Sequence, residues 1–161
     1  MRIDWLHPSQ GEAYWAAMRF LSSRIWGREI ALSPGTALTV THGNSLRAVC
    51  LFHEWDKDAA TIEITAASSG PWMTKTVIAE MADFAFGQLG CQAVILRTGT
   101  ENRKVCRMAS SAGFKRYDVP RLRGRDSAGV FFILGDDEWR NHRLNVRATH
   151  GQQTPSPDAA A

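Results

Sequence analysis

The chain has 161 residues, of which 44% are hydrophobic and 22% charged, and its formal net charge is +3. That length is typical of one domain burying roughly 70% of its unfolded surface, and we expect it to cover residues 1–140. No run approaches the 18 apolar residues of a transmembrane helix, so we expect no membrane partner. The mild positive charge permits an anionic ligand but does not by itself indicate DNA binding.

The chain has three cysteines, Cys50, Cys91 and Cys106, and none has the C-x-x-C spacing. An odd number without that spacing argues against a disulfide framework and against a structural zinc. The N-terminus also lacks the long apolar core of a signal peptide. We therefore expect a protein of the reducing cytoplasm that holds no metal.

The first third of the chain predicts an edge strand, a helix and a β-hairpin, over residues 2–5, 10–25, 36–41 and 46–55 respectively. Ser9 and Glu12 have the spacing of a capping box at the start of the helix. Gly43 lies in a turn-forming segment between the two hairpin strands. Three strands are then expected to run antiparallel before the next helix.

The central stretch organises the remaining chain. Ala60–Ala66 alternates apolar and polar residues, which predicts a half-buried strand. Pro71 suits the first position of a helix over Trp72–Leu89. Gly90 is expected to end that helix, and the apolar run Gln92–Arg97 predicts a buried strand. A strand followed by a glycine turn and a helix N-terminus favours anion binding, because free amides and the helix dipole point out of that end.

The last third predicts a capped helix, a basic irregular stretch, a strand and a polar tail, over residues 103–112, 115–126, 129–134 and 141–161 respectively. Asn102 is suited to cap the helix and Gly113 to end it. We expect the tail to be disordered, because it is polar and lacks periodicity.

This order of elements, with Asn102 eleven residues before Gly113-Phe114, resembles the GCN5-related N-acetyltransferase (GNAT) superfamily. The segments that carry the resemblance most specifically are Phe84–Gly90, Glu101-Asn102 and Ala112–Phe114. They are similar to the ribosomal-protein acetylating branch and to divergent members carried by bacteriophages. The resemblance implies an α/β (α+β) fold: a twisted, mostly antiparallel mixed sheet with a splayed central parallel pair and flanking helices.

The resemblance also implies an acetyl-CoA site. The pantetheine arm would lie along Ile64, Thr65 and Ala66, and Asn102 would lie near the thioester. The pyrophosphate would bind the loop residues Ser69, Gly70, Trp72, Met73, Thr74 and Lys75. A helix N-terminus supplies converging amides for such a group, and a lysine adds a mobile cation.

The attacking amine must lose a proton, so a base beside the strand is expected. Glu63 and His53 are the candidates by location, and the family asparagine Asn102 completes the predicted catalytic set.

Three positions depart from the family pattern. Trp72 stands where the family loop has its second glycine and brings bulk to a place where the backbone normally approaches phosphate. Pro71 removes one amide donor from the loop, and Ala109 stands where the family often has a tyrosine general acid.

The sequence leaves three functions open. The first is an acyl-CoA-dependent N-acyltransferase acting by direct attack of a primary amine on a protein, a small molecule or a modified nucleobase. The second is a phage DNA base-modification protein similar to the Mom-type modifiers, in which Arg121, Arg123 and Arg125 contact DNA and Trp72 stacks on a base. The third is a non-catalytic binding or virion protein. A homodimer through an edge strand is a further expected partner arrangement, and a phage protein would act in the host cytoplasm.

Overall fold

The computed structural model describes residues 1–145, which form a seven-stranded sheet in the order β1-β2-β3-β4-β5-β7-β6. The strands are β1 (Arg2–Leu6), β2 (Gly35–His42), β3 (Ser45–Asp56), β4 (Thr61–Ser68), β5 (Ala93–Gly99), β6 (Lys115–Gly124) and β7 (Ser127–Gly135). All neighbouring pairs are antiparallel except β4 and β5, which are parallel. The predicted mixed sheet with one central parallel pair is therefore confirmed.

Helices cover both faces of the sheet. They are α1 (Glu12–Trp26), α2 (Lys75–Ala82), α3 (Arg103–Ser111) and α4 (Asp136–Arg140), together with a 3₁₀ turn (Pro8–Gln10) and a π-helical segment (Asp83–Gln88) that continues α2. None of the helices within residues 1–145 is long and apolar enough to cross a bilayer. The predicted tail lies outside the described residues from position 146 onward, and the domain limit at residue 140 stays a prediction.

The two faces of the sheet have separate hydrophobic cores. On one face, which we call the α1 face, Tyr14, Met18 and Leu21 of α1 pack against Val49 and Leu51 of β3. The other, the α2 face, holds the larger core beneath α2, the π-helical segment and α3. Successive strand residues point to opposite faces, so each strand around the centre contributes side chains to both layers.

The start of α1 differs from the prediction. The helix begins after Gly11, whose φ of +60° interrupts the chain between the 3₁₀ turn and α1. Gln10 Oε1 accepts a 2.6 Å hydrogen bond from the His7 N–H. This side-chain cap belongs to the 3₁₀ turn that precedes α1, and not to α1 itself. The proposed Ser9–Glu12 capping box is therefore wrong.

The second helix also begins later than predicted. Thr74 is its N-cap, and the Thr74 Oγ1 accepts a 3.3 Å hydrogen bond from the Val77 N–H. A threonine hydroxyl satisfies a free helix amide, whereas a proline at the first position only avoids the need for one. Pro71 consequently lies in the connecting loop. Gly90, at φ +66°, ends the helical region as predicted.

The basic stretch predicted to be irregular is strand β6. It pairs with β7 from Lys115 to Val119, and the register then shifts until Gly124. The shift contains Pro120, which has no N–H to donate, and Arg121 at φ +63°. An edge strand tolerates a proline and a bulge because only one side of it is paired. Charged side chains masked the strand pattern in the sequence, and they are common on edge strands.

A substitution of Trp72 tests the packing of the loop that connects β4 to α2. Its indole is 7% exposed within the core of the α2 face, whereas Trp55 at the end of β3 is 50% exposed. We expect Trp72→Ala to lower the free energy of unfolding by about 3–5 kcal/mol, because it removes a buried aromatic ring.

Trp55→Ala is the matched control and should change the free energy of unfolding by less than about 0.5 kcal/mol. Urea unfolding followed by circular dichroism measures both values. Equal, small effects would contradict the burial of Trp72 and return its ring to the surface.

Candidate functional site

The parallel strands β4 and β5 separate beyond their fourth paired position. Their register runs from Thr61 opposite Ala93 to Ile64 opposite Leu96 and stops there. Each strand keeps its other neighbour: β4 stays paired with β3 as far as Ser68, and β5 with β7 as far as its end. Within residues 1–145, the edge of residues 65–68 that faces β5 therefore has no strand partner, and a gap opens through the centre of the sheet.

Two cavities meet at this gap. An apolar cavity of about 70 Å³ lies on the α2 face, between the sheet and the helices α2 and α3. A polar cleft of about 630 Å³ lies on the α1 face, and we call it the polar cleft. Four residues line both spaces: Ile64, Ala66, Leu96 and Met108. Because β4 and β5 supply three of these four, the gap connects the two sides of the sheet.

The polar cleft brings together all three residues predicted as catalytic. His53, Glu63 and Asn102 line it, as does Thr65. His53 lies directly opposite Glu63 in the β3–β4 ladder, and directly paired side chains of an antiparallel ladder share a face of the sheet. Asn102 reaches the same space from the N-terminus of α3, where its Oδ1 accepts a 3.3 Å hydrogen bond from the Val105 N–H. The predicted capping role of Asn102 is confirmed.

Glu63 forms an ion pair across the start of the gap. Its Oε2 accepts a hydrogen bond from Arg97 Nε at 3.0 Å and lies 2.8 Å from Arg97 Nη2. The guanidinium group also lies over the ring of Phe131 on β7, 5.8 Å from the ring centre. The sequence analysis missed Arg97, although the parallel alignment of β4 with β5 would have placed it on the face of Glu63.

His53 is half-buried, and its two ring nitrogens have different surroundings. Its Nε2 lies 2.8 Å from Thr65 Oγ1, while Nδ1 is buried and makes no hydrogen bond to the described residues. Burial lowers the pKa of His53, and the charges of Glu63 and Glu54 oppose that shift only in part. The neutral imidazole is therefore favoured near pH 7, and a neutral imidazole has a nitrogen able to accept a proton.

Only some of the backbone amides in the loop between β4 and α2 donate hydrogen bonds. The Ser69 N–H donates to the Arg47 carbonyl at 2.8 Å and the Thr74 N–H to the Trp72 carbonyl at 2.8 Å, while Pro71 has no N–H. Five other amides of this loop and of the first turn of α2 have no acceptor within residues 1–145, those of Gly70, Trp72, Met73, Lys75 and Thr76. Free amides at a helix N-terminus suit an anionic group.

Arg47 adds a cation to this loop that the sequence analysis missed. A Cβ atom added to Gly70 would lie 2.6 Å from Arg47 Nη1, so the guanidinium group lies against the glycine. Arg47 has no carboxylate partner in the part of the chain that the structure describes. The hairpin register could have revealed it, because Ala48 faces Ser68 and the next residues along therefore meet at the loop. Lys75 is likewise exposed and without an ion pair in residues 1–145.

Trp72 contributes its backbone to the loop but does not present its ring. The indole lines the apolar cavity and is nearly buried, so the predicted stacking of this ring on a base is wrong. An apolar ring gains more from burial in the core than from exposure beside a charged ligand. Met73, the next loop residue, lines the same cavity.

Only one of the three arginines predicted to contact substrate reaches the cleft. Arg123 lines it, and its Nε lies 4.0 Å from Glu101 Oε1. Arg121 and Arg125 are exposed and do not line it. Two other cations of the same stretch form ion pairs, Lys115 with Glu138 and Arg116 with Asp118.

No protein-family model and no curated protein matches the sequence. Solved structures do match. A mutant of spermidine N-acetyltransferase SpeG from Vibrio cholerae superimposes with a TM-score of 0.66 at 14% identity, over 88% of this chain and 98% of that one. The chain has the GNAT fold. The fold predicted from the sequence resemblance is therefore confirmed.

Two further structures support the GNAT fold. Spermidine/spermine N-acetyltransferase SpeG from Vibrio cholerae, solved with manganese ions, matches with a TM-score of 0.56 at 16% identity over 66% of this chain and 68% of that one. A protein described as a probable acetyltransferase matches with a TM-score of 0.55 at 18% identity, over 64% of this chain and 62% of that one. Residues 1–145 hold no cluster of three His, Cys, Asp or Glu side chains suited to bind a metal ion.

The lowered pKa of His53 makes stability depend on pH. Between the ordinary histidine pKa of about 6.5 and the lower folded-state pKa, the unfolded chain binds more protons than the folded one. Stability therefore falls as the pH falls through this range.

We expect the wild-type protein to lose stability relative to His53→Gln between pH 7 and pH 5, as measured by urea unfolding at each pH. A constant difference between the two proteins over that range would contradict the burial argument for His53.

Proposed function

We propose that this GNAT-fold protein is an N-acyltransferase that moves an acetyl group from acetyl-CoA to a primary amine. The observation that carries the proposal is the gap between β4 and β5, which joins an anion-suited loop to a polar cleft containing a neutral histidine. In the transfer, the amine nitrogen bonds to the thioester carbon, the carbon–sulfur bond breaks, and the amine proton passes to a base.

The residues present fit a CoA molecule. Diphosphate needs several converging donors, and the loop offers five unpaired amides together with Arg47 and Lys75. The arm of CoA needs backbone partners, and the free edge of β4 at Thr65 and Ala66 supplies them. Pro71 takes away one donor that the family loop normally has, and we propose that the Arg47 guanidinium replaces it.

Among the predicted bases we assign the proton transfer to His53. Its imidazole is neutral near pH 7, lines the cleft and is held by Thr65. Glu63 is instead committed to Arg97. A strand amide freed from pairing could stabilise the developing oxyanion by roughly 3–4 kcal/mol. Ala109 lies buried in α3 where the family has a tyrosine, so we propose that solvent protonates the departing thiolate.

Acceptor and biological setting are also part of the proposal. The amine is carried by a protein, a small molecule or a modified nucleobase, and a phage or prophage origin remains our interpretation of the resemblance. All three cysteines are buried and free, in agreement with the cytoplasmic location that we propose. The DNA-modification alternative has less support, since three of the five cations in β6 and the following turn are paired with carboxylates and only Arg123 lines the cleft.

The loop assignment predicts that CoA stabilises the protein. CoA at 100 times its Kd should add about 2.7 kcal/mol to the free energy of unfolding, which raises the Tm of a domain of this size by roughly 5–10 °C. No change at millimolar CoA would contradict a cofactor site.

Arg47→Ala should weaken CoA binding about tenfold or more, because charge-assisted hydrogen bonds contribute about 1.5–3 kcal/mol. Arg125→Ala is the matched control, since this exposed arginine loses the same charge away from the loop. Pantetheine, which lacks the phosphates, should bind Arg47→Ala and wild type equally in calorimetry. An equal loss for pantetheine would show that the substitution disturbs the fold and not a phosphate contact.

His53→Gln should lower kcat by roughly 10²–10⁴, as loss of a general base does, and leave the Kd of CoA unchanged. The wild-type rate should lose its dependence on His53 ionisation above about pH 6.5, because the pKa of His53 lies below its ordinary value. Thiol release measures both. Full activity of His53→Gln together with an inactive but folded Glu63→Gln would reverse the assignment of the base.

A further inference from the structure

The polar cleft has an apolar mouth. Residues 1–145 expose seven large hydrophobic side chains at their surface, and three of these line this one cleft. They are Ile25 at 40% exposure, Trp26 at 44% and Leu122 at 43%. Exposed apolar side chains that cluster beside a site indicate a binding surface, whereas single scattered ones need no explanation.

The backbone holds this mouth in place from both sides. Trp26 is the last residue of α1, and Gly27 ends the helix in the left-handed conformation at φ +69°. On the other side, the bulge of β6 after Val119 carries Leu122 over β7. A Cβ atom on Gly129 would lie 2.6 Å from Leu122 Cδ2, so the glycine makes room for the leucine. The strained φ of Arg121 lies within this same bulge, as strain often does beside functional sites.

The charges of the cleft balance. Two carboxylates and two guanidinium groups line it, those of Glu63, Glu101, Arg97 and Arg123. Glu63 is bonded to Arg97 at 2.8 Å, and Glu101 faces Arg123 at 4.0 Å. Among residues 1–145, the cleft therefore presents no carboxylate that lacks a nearby cation and could hold a second ammonium group of a substrate. A polycationic acceptor requires such carboxylates, because an ammonium group taken out of water without a partner is costly.

We propose that the acceptor is a monoamine carried on a flat apolar group, an arylalkylamine, and not a polyamine. The aromatic part would lie between Trp26 and Leu122, and its amine would reach the floor of the cleft at His53. This assignment rests on the proposed acyl transfer and names its substrate class: the same nitrogen–carbon bond forms, the same carbon–sulfur bond breaks, and the proton goes to His53. It separates this chain from the spermidine N-acetyltransferases that share its fold.

The first test is direct binding without acetyl-CoA, so that it does not depend on catalysis. The indole N–H signal of Trp26, assigned by its loss in Trp26→Ala, should shift in NMR spectra when 2-phenylethylamine is added and should not shift with equal spermidine. The indole signal of exposed Trp55 should not respond to either amine. A shift with spermidine alone, or no shift with phenylethylamine up to 10 mM (roughly the weakest binding a subsite would show), would overturn the proposal.

The second test is transfer. With acetyl-CoA, 2-phenylethylamine should have a kcat/KM at least about tenfold above that of spermidine. Trp26→Ala and Leu122→Ser should each raise the KM for phenylethylamine about tenfold, the scale of a lost apolar contact in a pocket. Trp55→Ala should leave it unchanged. Spermidine used as well as phenylethylamine, or a KM unchanged in both cleft variants, would overturn the substrate class.

The failure of the proposed function would look different. In that case CoA would fail to stabilise the protein and neither amine would be acetylated, while the NMR titration would still decide whether Trp26 and Leu122 form an aryl subsite. Acetylation of spermidine with normal CoA binding would instead leave the transferase intact and remove only the substrate class.

Discussion

The parallel junction between β4 and β5 is the constraint on which the site depends, because only four residue pairs join the two halves of the sheet. Hydrogen bonds hold the junction together at the end where the two strands are paired. The Ala60 carbonyl accepts hydrogen bonds from the Gln92 N–H at 2.7 Å and from the Ala93 N–H at 3.4 Å. Ala60 itself has a φ of +52°, a conformation that costs a non-glycine residue energy. The Glu63–Arg97 ion pair then bridges the halves where pairing ends.

Beyond the pair Ile64 and Leu96, β4 stays paired within one half of the sheet and β5 within the other. The β3–β4 ladder is bound through to the loop, where the Arg47 carbonyl accepts the Ser69 N–H, and the β5–β7 ladder runs to the opposed pair Gly99 and Gly129. Neither strand can close the gap without breaking ladder hydrogen bonds to its other neighbour. An unpaired strand edge that is locked open in this way is a preformed partner for an extended ligand.

This geometry explains why the functional groups come from distant parts of the sequence. The half-sheet β1–β4 contributes His53, Thr65 and Arg47, and the other half contributes Arg97 and the bulge of β6. The Glu63 carboxylate ties the two halves together through its ion pair with Arg97. The candidate site is therefore a property of the junction, and only the loop between β4 and α2 is formed by residues adjacent in sequence.

Much of the fold followed from local patterns. Alternation in β4, the apolar run of β5 and the Asn102 cap each depend on residues within one element, and the structure has all three. The errors arise where tertiary packing decides. Trp72 looked like the first turn of a helix, but burial of its indole in the core keeps it in the loop. The bulge of β6 depends on pairing with β7, which no local pattern in Lys115–Asp126 reveals.

The sequence likewise predicts one part of the candidate site and not the other. His53, Glu63 and Asn102 could be grouped from strand order and from the family resemblance, because ladders place paired residues on one face. Arg97 and Arg47 could not be found without the register, since each acts across a strand pair. The position of Leu122 beside the cleft depends on the backbone conformation of the β6 bulge, which the sequence of that segment alone does not specify.

Residue-resolved amide hydrogen exchange of the free protein and of the protein with saturating CoA tests the open junction most directly. If the gap is preformed and receives CoA, alternate amides of residues 65–68 exchange rapidly in the free protein and slow about tenfold or more with CoA. The amides of Thr61–Ile64 should be protected in both states. Slow exchange of residues 65–68 before CoA is added, or no change when binding is saturated, would contradict the account.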